Sequence, residues 1–195
     1  MTCEAYISQE AWRWATIEQC PVHGERECGI RSHGSYERKS PSGLRIRRLY
    51  CRKGQVTISL LPDFAAARFT GTLDELETAV EKAESAPSVA AAAAALRPEL
   101  RDARSAARWV RRRIRAVQTA LTALVTSLPQ LAQTDPHLSA VRAKLGTEGT
   151  ALLPELRELA ATLLPSLVPP LGFFRRARGR FSGKPLLQHE VGPDP

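Results

Sequence analysis

Four side chains that can ligate a metal, Cys20, His23, Cys28 and Cys51, stand in an Arg-rich stretch that reads as β-hairpins. Their spacing is Cys-x2-His-x4-Cys, with a further Cys after 22 intervening residues. That order brings two knuckle-like turns together around one tetrahedral ion. Three thiolates and one imidazole suit a soft, redox-inert cation such as Zn²⁺, and one structural ion is the expected cofactor. His33 is a reserve ligand, and Cys3 lies outside the spacing. In the competing reading the site has decayed, and its cysteines are ordinary small buried residues.

The residues around the cluster predict three short antiparallel strands. Positions 34–39 read as a strand, 40–43 as a Ser-Pro-Ser-Gly turn, and 44–50 as a second strand with mixed faces. After a turn at 51–54, Val56, Ile58 and Leu60 alternate with Gln55, Thr57 and Ser59. A sheet of this size does not hold alone in water, which makes a metal its expected support.

Three segments carry a family resemblance: Cys20-Pro21-Val22-His23, His33-Gly34-Ser35-Tyr36-Glu37-Arg38, and Arg47-Arg48-Leu49-Tyr50-Cys51 leading to Ser59-Leu60-Leu61-Pro62-Asp63-Phe64. Over residues 18–70 the chain resembles a bacterial zinc-ribbon family found with transposases and insertion elements. The resemblance implies a zinc ribbon with cysteine-based ligands. The chain departs from the family at His23, where a Cys is usual, and at Gly54, where the last Cys would sit.

Composition changes near residue 62. Every Cys lies before it, and Ala- and Leu-rich helical patterns follow it. Thr72 and Glu75 form a capping box for a helix at 73–84 with Leu73, Leu76 and Val80 on one face. A nearly pure Ala helix is expected at 89–96, and a long helix from about 101 to 128. In the long helix Val110, Ile114, Val117, Leu121, Leu124 and Leu128 make an apolar seam for a bundle or a dimer contact. Shorter helices are expected at 137–145 and 151–167, the last carrying Leu152, Leu156, Leu159, Leu163 and Leu167. The tail from 169 looks disordered, with Phe173, Phe174 and Phe181 interleaved among Arg.

The fold class is therefore α+β and mostly α: a three-stranded zinc-ribbon-like module, then an all-α helix-turn-helix with a helical bundle or hairpin. The expected divisions are 1–64, 72–130, 137–168 and 169–195.

Charge suggests the partner. The chain carries a net +8 with a pI near 9.9, and 23 of its 28 basic residues are Arg. Arg makes forked contacts with phosphate whereas Lys acts as a point charge, so a polyanion is expected, double-stranded DNA foremost. Coding drift toward Arg and Ala is the bland explanation. Arg104, Arg108, Arg111 and Arg115 fall at helical spacing, opposite the seam, with Arg112 beside them. The three helices, acidic then Ala-rich then Arg-rich, resemble the helix-turn-helix of transposase amino-terminal regions, whose third helix enters the major groove. Arg38, Lys39, Arg45, Arg47, Arg48, Arg52 and Lys53 would add contacts from the ribbon. A solvated helix face is the alternative, and the acids of the first helix could neutralise part of the stripe.

Other functions find less support. Positions 1–20 hold Glu4, Glu10 and Arg13 and no continuous apolar core, so neither a signal peptide nor a membrane partner is expected. A cytoplasmic, nucleoid-associated location would keep the thiols reduced. Beyond residue 102 the acids are Asp135, Glu148, Glu155, Glu158, Glu190 and Asp194, none in a strand-like segment able to hold Mg²⁺ for strand transfer. No phosphate-cradling Gly loop exists, so neither catalysis nor a small-molecule substrate is expected. The reading is a non-catalytic zinc-dependent DNA-binding protein of mobile-element type, partnered with a transposase or with itself. The alternative is a helical scaffold for protein interaction.

Overall fold

Alternation of apolar and hydroxyl residues makes β3 (Val56–Leu60), whose Val56, Ile58 and Leu60 are buried while Thr57 and Ser59 stay half-exposed. The computed structural model describes residues 1–100, 102–147, 149–173 and 188–189. They fall into two units: residues 1–72, to which 173 and 188–189 belong, and residues 73–172.

In the first unit β1 (Ile30–Glu37), β2 (Arg45–Cys51) and β3 form an antiparallel sheet in sequence order. A two-residue strand β4 (Gln188–His189) pairs parallel to β3. β1 begins four residues before the expected position 34. Its pairing runs back to Ile30 opposite Cys51, so the strand reaches the metal-capable turn itself. His33 and Gly34 together face the single residue Arg48, a bulge between the Ser32 and Ser35 pairings. Gly34 has φ +78° there, a conformation that strongly favours glycine. The sheet's inner face packs Leu49, Cys51, Val56, Ile58 and Leu60 against Ala15, Cys20 and Cys28.

Ahead of the sheet lies a helix that the sequence patterns do not announce. α1 (Cys3–Ser8) is capped by Thr2, whose hydroxyl accepts the Ala5 N–H at 3.2 Å. It buries Tyr6 edge-on against Phe64, with ring centroids 5.5 Å apart. The segment after β3 is tied down by Arg38, whose guanidinium donates to the carbonyls of Ala66 and Phe69.

The second unit is helical. α2 (Leu73–Ser85), α3 (Val89–Leu96) and α4 (Ala103–Ser127) pack together. Ser88 caps α3 by accepting from Ala91 N–H, and Asp102 caps α4 by accepting from Arg104 and Ser105 N–H. Small Ala92 and Ala93 let α3 lie close against Ala106 and Val110 of α4. Most of the α4 seam is spent within the chain, since Val110, Val117, Leu121 and Leu124 are all at most 2% exposed, while Ile114 and Leu128 are half-buried. α5 (Leu138–Leu145) and α6 (Leu152–Leu159) complete the helices.

The last helix is shorter than the expected 151–167. Regular α structure ends at Leu159, a 3-10 turn spans Ala161–Leu163, and Pro165 has no N–H with which to continue it. The buried face runs through Leu152, Leu156, Ala160, Leu164 and Leu167, while the expected seam residue Leu159 is 42% exposed. Steps of four residues, and of three at the end, separate these positions. The expected tail also starts later than 169: Arg157 is buried and donates to the carbonyls of Pro170 and Leu171, and Leu171 is fully buried. The expectation of disorder beyond 173 falls on residues outside those described, the pair 188–189 excepted. No helix among the described residues is long and apolar enough to cross a membrane.

Candidate metal centre and nucleic-acid interface

Two turns carry the ligand set. In the first, the carbonyl of Cys20 accepts the N–H groups of His23 and Gly24 at 3.2 and 2.7 Å, so residues 20 and 23 converge. In the second, the Gly54 N–H points at the Cys51 sulfur at 3.3 Å. Cys28 arrives from the loop before β1, its carbonyl accepting the Lys53 N–H at 3.5 Å. Lys53 and Glu25 form an ion pair at 2.6 Å that joins the two turns at the surface.

The ligating atoms of Cys20, His23, Cys28 and Cys51 all lie within 4.8 Å of one another. His23 Nδ1 is 3.5 Å from the Cys20 sulfur and 3.6 Å from that of Cys51, and the Cys28 and Cys51 sulfurs are 3.7 Å apart. Around a tetrahedral ion, metal–sulfur bonds of about 2.3 Å and a metal–nitrogen bond of about 2.0 Å place sulfurs about 3.8 Å apart and sulfur about 3.5 Å from nitrogen. These three spacings match those expected around a tetrahedral ion. All three cysteines are buried, at 0 to 3% exposure. This group can hold a metal ion.

Protonation fits the same chemistry. Burial works to raise the Cys20 thiol, but hydrogen bonds from Cys28, from the Val22 backbone and from His23 outweigh it and lower it to about 7. Burial, then hydrogen bonding with Cys20 and Cys51, pushes Cys28 up to about 12. Cys20 and Cys28 are thus pushed in opposite directions, and a bound divalent cation would favour the thiolate form of both.

Gly54, the apparent gap in the ribbon pattern, has a physical account. A Cβ at residue 54 would stand 3.0 Å from His23 Cε1 and 3.3 Å from Val22 Cγ1. The missing side chain makes room for the His23 imidazole. His33 is not part of the group: it is exposed on β1, its ring 5.5 Å from that of Tyr50.

The basic residues separate into engaged and open ones. Arg47 donates to the carbonyls of Arg13 and Ala15, which fastens the N-terminal segment to β2. Arg38 is occupied by its own two carbonyls, and Lys53 by Glu25. Arg52 and Arg45 are exposed, the latter over the Trp12 ring at 5.3 Å, and Arg48 is half-buried beside Tyr36. On α4, Arg104, Arg108, Arg111, Arg112 and Arg115 are all exposed. Arg113 turns inward instead, 3.5 Å from the Trp109 ring centroid, and burial followed by the charges of Arg97 and Arg112 lowers its guanidinium to about 10.

Three acids of α2 are engaged with α5 and the turn before it. Glu77 and Glu81 bind Arg142 of α5, and Glu84 lies 3.6 Å from His137. Glu77 is 4% exposed and also accepts the N–H groups of Leu152 and Leu153 at 2.9 and 2.7 Å, capping α6 from a distance. Among the described residues, Arg104, Arg108, Arg111 and Arg115 form no ion pair. The sequence pattern does not single out Glu77, although it lies one residue from Leu76 on the Leu73/Val80 face. Comparison with family models, curated proteins and solved structures finds no match to this chain.

Proposed function

We propose that this is a non-catalytic, zinc-dependent protein that binds double-stranded DNA, of the mobile-element type implied by the resemblance over residues 18–70. The carrying observation is the sulfur and nitrogen spacing of Cys20, His23, Cys28 and Cys51, which suits a tetrahedral Zn²⁺ closed to solvent and substrate. Four protein ligands leave no open position for a reactive water, so the ion is structural. When bound, it supplies charge to the thiolates and joins the two turns. This chain's own residues then present the charge.

The α4 stripe supports DNA as the partner. Its five exposed Arg lie along one side of a 25-residue helix whose other side is buried. Such a helix suits phosphates and guanine edges. A working location at the nucleoid and a transposase as partner follow from the same reading. Purified protein should carry about one zinc per chain, and duplex binding should weaken steeply with salt. Arg108→Ala with Arg112→Ala should weaken binding and flatten the salt slope by about one or two units. A gel-shift titration with unchanged binding removes the helix from the reading; a metal-free, fully folded protein removes the zinc.

A further inference from the structure

The sheet of the first unit has a second face, turned away from the metal group. Strand register places Arg31, Tyr50 and Thr57 in one row across β1, β2 and β3, and Arg48 with Ser59 in the next, opposite the His33–Gly34 bulge. Contacts confirm that the larger side chains share this face. The Arg31 guanidinium lies 5.6 Å from the Tyr50 ring centroid, His33 and Tyr50 have centroids 5.5 Å apart, and Arg48 lies 6.0 Å from Tyr36.

Three properties set this face apart from an ordinary polar sheet surface. It carries two Arg, a His, two Tyr, two hydroxyls and, beside Tyr36, the buried Ile46, with no carboxylate among them. Arg31 and Arg48 form no ion pair among the described residues, and Arg48 Nε is buried without a hydrogen-bond partner. The rings and guanidiniums lie side by side, with Tyr36, Arg48 and Tyr50 half-buried and Arg31 and His33 exposed. By strand geometry Tyr36 and Tyr50 are about 14 Å apart, far enough to serve separate bases.

We infer that this outer face binds a single-stranded polynucleotide, with bases stacked on Tyr50 and Tyr36 and the backbone tracked by Arg31 and Arg48. Stacking on an aromatic ring requires a base freed from a duplex, and guanidiniums beside the ring supply both phosphate contacts and planar stacking partners. Thr57 and Ser59 offer hydroxyls to base edges along the same rows. The inference does not rest on duplex binding by α4, because it concerns another surface and another form of nucleic acid.

The test uses the full-length, zinc-loaded protein with fluorescein-labelled oligothymidylate, oligouridylate and a closed hairpin duplex, read by anisotropy. Tyr50→Ala should weaken single-strand binding about tenfold or more, and Tyr50→Phe should keep it within about twofold. Hairpin binding should be unmoved by either change. The tighter of the two oligonucleotides identifies DNA or RNA as the strand bound. Because Tyr50→Ala could disturb the sheet, a second measurement uses the wild-type chain: photocrosslinking to iodouracil-substituted strands, with adducts expected on the peptide holding Tyr50. No retention of either oligonucleotide at low salt, equal binding by Tyr50→Ala, or adducts confined to α4 would each overturn the inference. Failure of the Arg108/Arg112 variant to affect the hairpin would leave it standing.

Discussion

In the first unit the strands are backed by Leu49, Val56, Ile58 and Leu60, and the centre of that small core is occupied by three sulfurs. In the second, Val110, Val117, Leu121, Leu124, Leu152 and Leu156 are buried without any ligand set. The polar groups buried in each unit differ as well. Cys20, Cys28 and Cys51 stand together in a group that can hold a metal ion, whereas Glu77 is satisfied by Arg142 and by two backbone N–H groups. On the reading proposed above, a sheet with few apolar residues would draw support from a bound ion, whereas the helical unit pairs Glu77 with Arg142.

Removing the metal should therefore separate the two units. Chelation, or Cys51→Ser, should unfold the first unit, because structural zinc is worth about 10–16 kcal/mol of folding free energy in comparable sites. Helical circular dichroism from residues 73–172 should persist, while dispersion of strand amide signals collapses. Simultaneous loss of both would break the comparison.

A smaller effect is expected in the helical unit. Glu77→Ala deprives Arg142 of its buried partner and leaves the Leu152 and Leu153 N–H groups without their acceptor. The cost should be about 3 kcal/mol in denaturant unfolding, with the metal content unchanged. Glu77→Gln keeps one acceptor oxygen and should cost less. Equal stability of all three proteins would show that the carboxylate is not what holds α6.

The ligand set was legible because metal coordination fixes residue type and spacing together, and both survive in linear sequence. The α3 and α4 boundaries were legible through Ser88, Pro98 and the heptad-like seam. What escaped depended on tertiary contacts. α1 is only six residues long and is recognised by where Tyr6 packs, not by periodicity. The strand β1 starts early because Ile30 pairs with Cys51, a contact that no local pattern encodes. Arg38 and Arg47 read as surface charge, yet each is fastened to backbone carbonyls far along the chain. Charge counts reveal that a surface is basic; only geometry separates a guanidinium that binds its own backbone from one left open.

Tyr6 sharpens the contrast at its weakest point, since it is a polar group buried in the first unit without a partner. Its hydroxyl is buried with no hydrogen-bond partner, and burial, reinforced by Asp63, raises it to about 12. A raised pKa means that the folded state favours the neutral phenol. Its contribution to stability is complete below pH 10 and disappears as pH rises through 12. Tyr6→Phe removes both the unpartnered hydroxyl and this titration while keeping the ring against Phe64. The variant should be as stable as the parent or gain up to about 1 kcal/mol at neutral pH, because an unsatisfied buried hydroxyl is unfavourable. Between pH 10 and 12 the parent should lose stability that the variant retains. Paired denaturation series on the zinc-loaded proteins measure this directly, and parallel pH profiles would mean that the phenol reaches water in the folded state.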